Sequence, residues 1–247
     1  MPETLWKDGA HFTGGGYTLL NNTWGRGALV NGVDYVQTIT HDDAGVTFAW
    51  DWPVVEPRHV LAYPEIFAGV SPWSGKGAPG DLPIRLAEID SLTADFALDW
   101  GGEAQLFNVA FDLWLSSDPA GGRDAITHEI MIWLKSADFH PGGKPVDTVT
   151  LPGLTAELRY KDATPGGWPK WTYAAFESTT TMKSGQIDIA ALLDHLVDQG
   201  LATPDLWLMN VELGAEIVGG AGWLRIDGFD VSVNAAPART EAITIQP

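Results

Sequence analysis

Short runs of alternating polar and apolar residues, cut at close intervals by glycine, proline and asparagine, dominate this chain. Val46, Phe48, Trp50 and Trp52 alternate with Thr47, Ala49 and Asp51. Side chains of a strand point alternately to its two faces, so such a run is a half-buried strand. Phe107 to Leu115 repeats the pattern, with Val109, Phe111, Leu113 and Leu115 on one face and Asn108, Ala110, Asp112 and Trp114 on the other. Further strands are predicted over 148–151, 156–160, 171–176, 206–213 and 223–233, and Asn31-Gly32 predicts a hairpin between 28–30 and 33–39. A single segment carries a helical stripe: Ile189, Leu192, Leu193, Leu196 and Val197. Asp188 suits its N-cap and Gly200 its C-terminal stop, which predicts one helix over about 188–199. One helix among many strands predicts an all-β fold of two packed antiparallel sheets.

The bulk numbers narrow the function. The chain has 247 residues and no cysteine, which removes disulfides, thiol catalysis and thiolate-bound metals. With 14 basic and 32 acidic side chains the net charge is −18, a surface that repels nucleic acid and anionic membranes alike. A neutral polymer is indifferent to that field. No apolar run is long enough to span a bilayer. Met1-Pro2-Glu3 does not read as a secretion signal, so the protein is either intracellular or has lost its signal. His11, His41, His59, His140 and His195 show no metal-ligand spacing, and neither a metal nor a cofactor is expected.

Glu129-Ile130-Met131-Ile132-Trp133 is the most telling strand. Ile130, Ile132 and Leu134 make one face apolar; Glu129, Met131 and Trp133 share the other. A carboxylate beside a ring able to stack on a sugar suggests glycoside hydrolysis, which needs a second carboxylate across the bond. Glu212 and Glu216 both qualify: they share parity, opposite to Met209, Val211 and Leu213. His128 points away from Glu129 and reads as structural.

Five motifs in order give the chain its resemblance. Asn21-Asn22-Thr23-Trp24-Gly25 comes first, then Trp50-Asp51-Trp52 with Tyr63-Pro64. Asn108-Val109-Ala110-Phe111-Asp112-Leu113-Trp114 and the Glu129 strand follow, then Gly214-Ala215-Glu216 with Gly219-Gly220-Ala221-Gly222. Together, from about Tyr17 to Val233, they resemble glycoside hydrolase family 12, the small jelly-roll endoglucanases. The resemblance implies a β-jelly-roll sandwich of two curved antiparallel sheets, a single catalytic domain over 1–235 and a peripheral tail over 236–247.

It also implies roles. Glu129 matches the nucleophile, Glu216 the general acid/base and Asp112 a carboxylate that holds the nucleophile by a hydrogen bond. Asn22, Trp24, Tyr63, Asn108, Met131, Trp133 and Pro141 match substrate-binding positions, with Trp24 and Trp133 offering stacking faces. The implied reaction is retaining endo-β-1,4-glucanase hydrolysis of cellulose-like or mixed-linkage β-glucans, with the carboxyl groups about 5–5.5 Å apart. A xyloglucan-specific enzyme is the near alternative; a non-catalytic carbohydrate-binding jelly roll is the alternative of another class. The β-glucan is the expected partner of a secreted monomer. Ile217 and Val218 depart from the family, which places an aromatic ring just after the acid, and that leaves acceptor-side preference open.

Overall fold

The computed structural model describes residues 2–42, 44–78, 80–164 and 169–234. The expected tail over 236–247 and part of the 163–170 loop lie outside the described residues. Seventeen strands and one helix follow in chain order: β1 (Glu3–Leu5), β2 (His11–Gly14), β3 (Tyr17–Leu20), β4 (Val36–Asp42), β5 (Gly45–Trp52), β6 (Glu65–Val70), β7 (Gly77–Ala78), β8 (Ile84–Arg85), β9 (Leu92–Gly102), β10 (Val109–Ser116), β11 (Ile126–Lys135), β12 (Lys144–Leu151), β13 (Leu154–Lys161), β14 (Thr172–Ser178), β15 (Ser184–Asp188), α1 (Ile189–Asp198), β16 (Trp207–Gly214) and β17 (Gly220–Val233).

They form two sheets. The smaller has the order β1-β4-β5-β17-β9-β15; the larger runs β12-β13-β14-β11-β10-β16-β6-β3-β2, with β7 on β6 and β8 on β16. Phe48, Leu92, Phe96 and Leu224 of the small sheet bury against Phe111, Leu113, Ile130, Ile132, Val211 and Leu213 of the large one. The expected sandwich is therefore present, and the jelly-roll expectation fits it. Every pair is antiparallel except β11 with β14, which run parallel.

The helix starts and stops as the sequence predicts. The Asp188 carboxylate accepts from Ala191 N at 2.9 Å, and Gly200 takes φ +68° just beyond the end. Ile189, Leu192, Leu193 and Leu196 are buried on its inner side.

Two expectations are corrected. Residues 28–30 and 33–39 do not form a hairpin: β4 pairs with β1 and β5 instead. The Asp34 carboxylate accepts from Val30 N at 2.8 Å and Gly32 N donates to Tyr35 O at 2.7 Å, closing a compact loop before a second strand can form. Met209 does not share the core face with Val211 and Leu213. A bulge opposite Trp114 and Leu115 turns it to the other face, where it packs with Trp114, Ile126 and Trp171.

Candidate active site

The face of the large sheet turned away from the sandwich core carries the chemistry. On β11 the core face takes Ile130, Ile132 and Leu134, which leaves Glu129, Met131 and Trp133 outward. β10 lies between β11 and β16, pairing Asp112 with Met131 on one side and Glu212 on the other. One cavity of about 830 Å³ opens over these strands. Five carboxyl groups reach it: Glu65, Asp112, Glu129, Glu212 and Glu216.

Burial separates the five. Glu65, Asp112 and Glu212 are only 2%, 6% and 4% exposed, whereas Glu129 and Glu216 keep intermediate access to the opening. Glu129 accepts a hydrogen bond from Trp171 Nε1 at 2.6 Å. Burial pushes its carboxyl up to about 8 against that bond, with the charges of Glu216 and Glu212 adding to the rise. Burial likewise pushes Glu216 up to about 7, opposed by its hydrogen bond from Asn108. The charge of Glu216 thus acts on Glu129 across the cavity.

Asn108 grips Glu216 by side chain and backbone. Its Nδ2 donates to Glu216 Oε2 at 2.5 Å, its Oδ1 accepts from Glu216 N at 2.8 Å, and its own N donates to Glu216 O at 3.1 Å. Asn108 is fully buried, with both ends of its side chain engaged by Glu216. The expected hydrogen bond from Asp112 to Glu129 is absent. Asp112 Oδ1 is buried without a partner, and Trp171 supplies the donor at Glu129.

The remaining expected residues divide. Trp24, 62% exposed, stands at the cavity with Asn22, Tyr63 and Met131. Gly25 is required behind it, because a Cβ there would meet Val60 O at 2.0 Å. Asn22 uses both ends of its amide, donating to Glu65 Oε1 at 3.3 Å and accepting from Trp24 N at 3.2 Å. Tyr63 donates to Ala110 O at 3.0 Å and rests on Gly214, where a Cβ would come within 2.9 Å of its ring. Trp133 has no open face. It is 2% exposed, edge-on to Phe139 at 5.5 Å, with Nε1 directed to Met131 Sδ. Pro141 is buried, and its neighbour Gly142 lines the cavity in its place.

Two lining rings, Trp73 and Trp171, carried no site signal in the sequence, whereas Trp114 shares the outward face of its strand with Asp112. Trp73, Trp114 and Trp171 meet edge to face with centroids 5.0–5.5 Å apart. Tyr173 lines the same wall and donates to Met131 Sδ at 3.3 Å. Alternation from Trp171 to Phe176 marked their strand, yet not its neighbour. Among the described residues no group of three or more histidine or acidic side chains is arranged to hold a metal ion.

Comparison with known proteins now decides the family. The model of glycosyl hydrolase family 12 matches residues 15–234. The chain belongs to that family. The family 12 chain is 29% identical to endoglucanase S of Pectobacterium parmentieri over 92% of its length and 85% of the relative's. It is 24% identical to a probable xyloglucan-specific endo-β-1,4-glucanase A of Aspergillus fumigatus, covering 90% of this chain and 87% of that one. Among solved structures, a family 12 xyloglucanase from Bacillus licheniformis matches with TM-score 0.84, 28% identity and 94% and 99% coverage of the two chains. An endoglucanase from Rhodothermus marinus matches with TM-score 0.79, 28% identity and 94% and 98% coverage. This family 12 protein is thus a glycoside hydrolase of the cellulase type, acting on polysaccharide.

Proposed function

We propose that the protein is a retaining endo-β-1,4-glucanase in which Glu129 attacks the anomeric carbon and Glu216 protonates the leaving oxygen. The observation that carries this is selective access. Of the five carboxyl groups lining the cavity, Glu129 and Glu216 alone remain open to a substrate, while Glu212, the rival acid, is 4% exposed and bound to Asn210. On this reading Trp171 favours the charged nucleophile and Asn108 aims the acid. The first step forms a glycosyl-enzyme at Glu129; Glu216 then takes a proton from the water that releases it. Trp24 offers the first exposed stacking face to a sugar ring.

The same reading makes β-glucan the substrate and has the enzyme act outside the cell as a monomer, its catalytic residues all within one domain. A xyloglucan-specific enzyme is the second form of it, favoured by the higher TM-score with the Bacillus licheniformis xyloglucanase. The loop over 70–81 bears on that choice, since Ser71, Trp73 and Lys76 line the cavity. The test is reducing-end release from carboxymethyl cellulose, mixed-linkage glucan, xyloglucan and xylan, with product anomers followed by NMR. Turnover of at least one glucan with the β-anomer appearing first is expected. An α-anomer as first product rejects retention, and binding without turnover rejects the enzyme.

A further inference from the structure

The buried carboxyl groups beneath Glu129 and Glu216 form an ordered set of their own. β16 places Glu212 directly opposite Asp112 of β10, and pairs Gly214 with Glu65 of β6. Glu65 and Glu212 therefore sit on one face, one diagonal step apart, with no side chain at Gly214 between them. Long side chains in a diagonal pair can meet, and burial together with the charge of Glu212 pushes the Glu65 carboxyl well up.

Their other partners are unequal. Glu212 accepts from Asn210 Nδ2 at 2.6 Å, a donor that favours its charged form against the burial that raises its carboxyl. Glu65 has a single long bond from Asn22 Nδ2 at 3.3 Å, and its Oε2 is buried with no donor. Lys76 and Lys161 line the cavity, and the ion pairs seen among the described residues join other groups than Glu65 and Glu212. Two carboxylates this deeply buried cannot both stay charged side by side, because burial and their mutual repulsion each favour protonating one of them.

We propose that Glu65 is kept as a neutral carboxylic acid donating its proton to Glu212, and that Glu212 is the fixed anion of the groove floor, a positioning group that governs where Glu129 ionises. This rests on the catalytic reading above. The titratable groups that feel the anion are Asp112 of β10, opposite it in register, Glu129 of β11 and the phenol of Tyr63. A negative charge beneath Glu129 favours the protonated form of that carboxyl.

Two readouts test this, one of them independent of activity. The infrared difference spectrum of parent minus Glu65→Gln at neutral pH should show one protonated-carboxyl band, with unchanged far-UV dichroism confirming the fold. The acid limb of the kcat/KM profile reports the free enzyme's essential base. In Glu65→Gln that limb should stay in place, because the amide still donates to an ionised Glu212. In Glu65→Gln/Glu212→Gln the anion is gone, and the limb should move to lower pH by about one pH unit, a tenfold change in proton affinity. Absence of the band in the difference spectrum would overturn the proposal. So would a limb that moves as far in the single variant as in the double one. A parent with no turnover on any glucan sinks the catalytic reading while leaving the infrared result to stand or fall alone.

Discussion

Asn108 and Glu216, 108 positions apart in the chain, clasp each other through both side chain and backbone. The amide holds the carboxyl group at one oxygen, Oε2. Replacing Asn108 with alanine frees that carboxyl without altering the groove wall. On a polymeric glucan, kcat should fall roughly 10- to 100-fold with KM close to the parent value. An aryl cellobioside with a good leaving group should lose far less, since it needs little acid assistance. Equal losses on both substrates would mean that Asn108 does not act through the acid.

Trp171→Phe keeps a ring in the tryptophan cluster and removes the donor at Glu129. A hydrogen bond to a charged group is worth about 1.5–3 kcal/mol, so kcat/KM should drop about 10- to 100-fold. The acid limb of the profile should rise, because the charged nucleophile has lost its donor. A profile that keeps its acid limb would show that the indole N–H does not support the charge.

Trp24→Ala removes an exposed ring. Stability should change by less than about 0.5 kcal/mol, while KM for polymer rises about fivefold, for roughly 1 kcal/mol of stacking. Thermal melts and steady-state kinetics check both halves. A marked loss of stability with unchanged KM would assign Trp24 to the fold.

Stability should fall as pH rises from about 6.5 to about 8. Folded Glu129 and Glu216 hold protons up to about 8 and about 7, against 4.5 for an ordinary glutamate. Between those limits the folded state binds more protons than the unfolded chain, so the unfolding free energy declines with rising pH. This contribution is complete below 4.5 and lost as pH passes the folded values. Burial lowers His128 from its ordinary 6.5, so His128 opposes the trend only below that value. Denaturant midpoints across the window should decrease, and Glu129→Gln/Glu216→Gln should make the decrease shallower, leaving the share of Glu65 and Asp112, whose carboxyls burial also pushes up. A midpoint that climbs with pH would contradict this electrostatic account.

Much of the fold was legible because β5, β10 and β11 combine one apolar face with one mixed face, a pattern that local alternation reports faithfully. The helix was legible for a similar reason, with its stripe bracketed by Asp188 and Gly200. Contacts between distant segments were not. Trp171 reaches Glu129 only because β14 pairs in parallel with β11, a choice of neighbour that neither strand's own residues encode. The bulge at Met209 reverses one side chain without any glycine or proline to announce it. Trp133 shares its face with Glu129 as parity demands, but Phe139 covers it, and parity says nothing about a loop that folds back. The Asn31-Gly32 signal failed because Asp34 offered the backbone a nearer partner.

The three indoles of Trp73, Trp114 and Trp171, packed edge to face beside Glu129, give the molecule a built-in optical gauge. Rings this close mix their electronic transitions, so a saccharide settling against any one of them perturbs all three. Occupancy of the trough should therefore be readable from the near-ultraviolet dichroism of the unlabelled protein, even for a variant too slow to turn its substrate over.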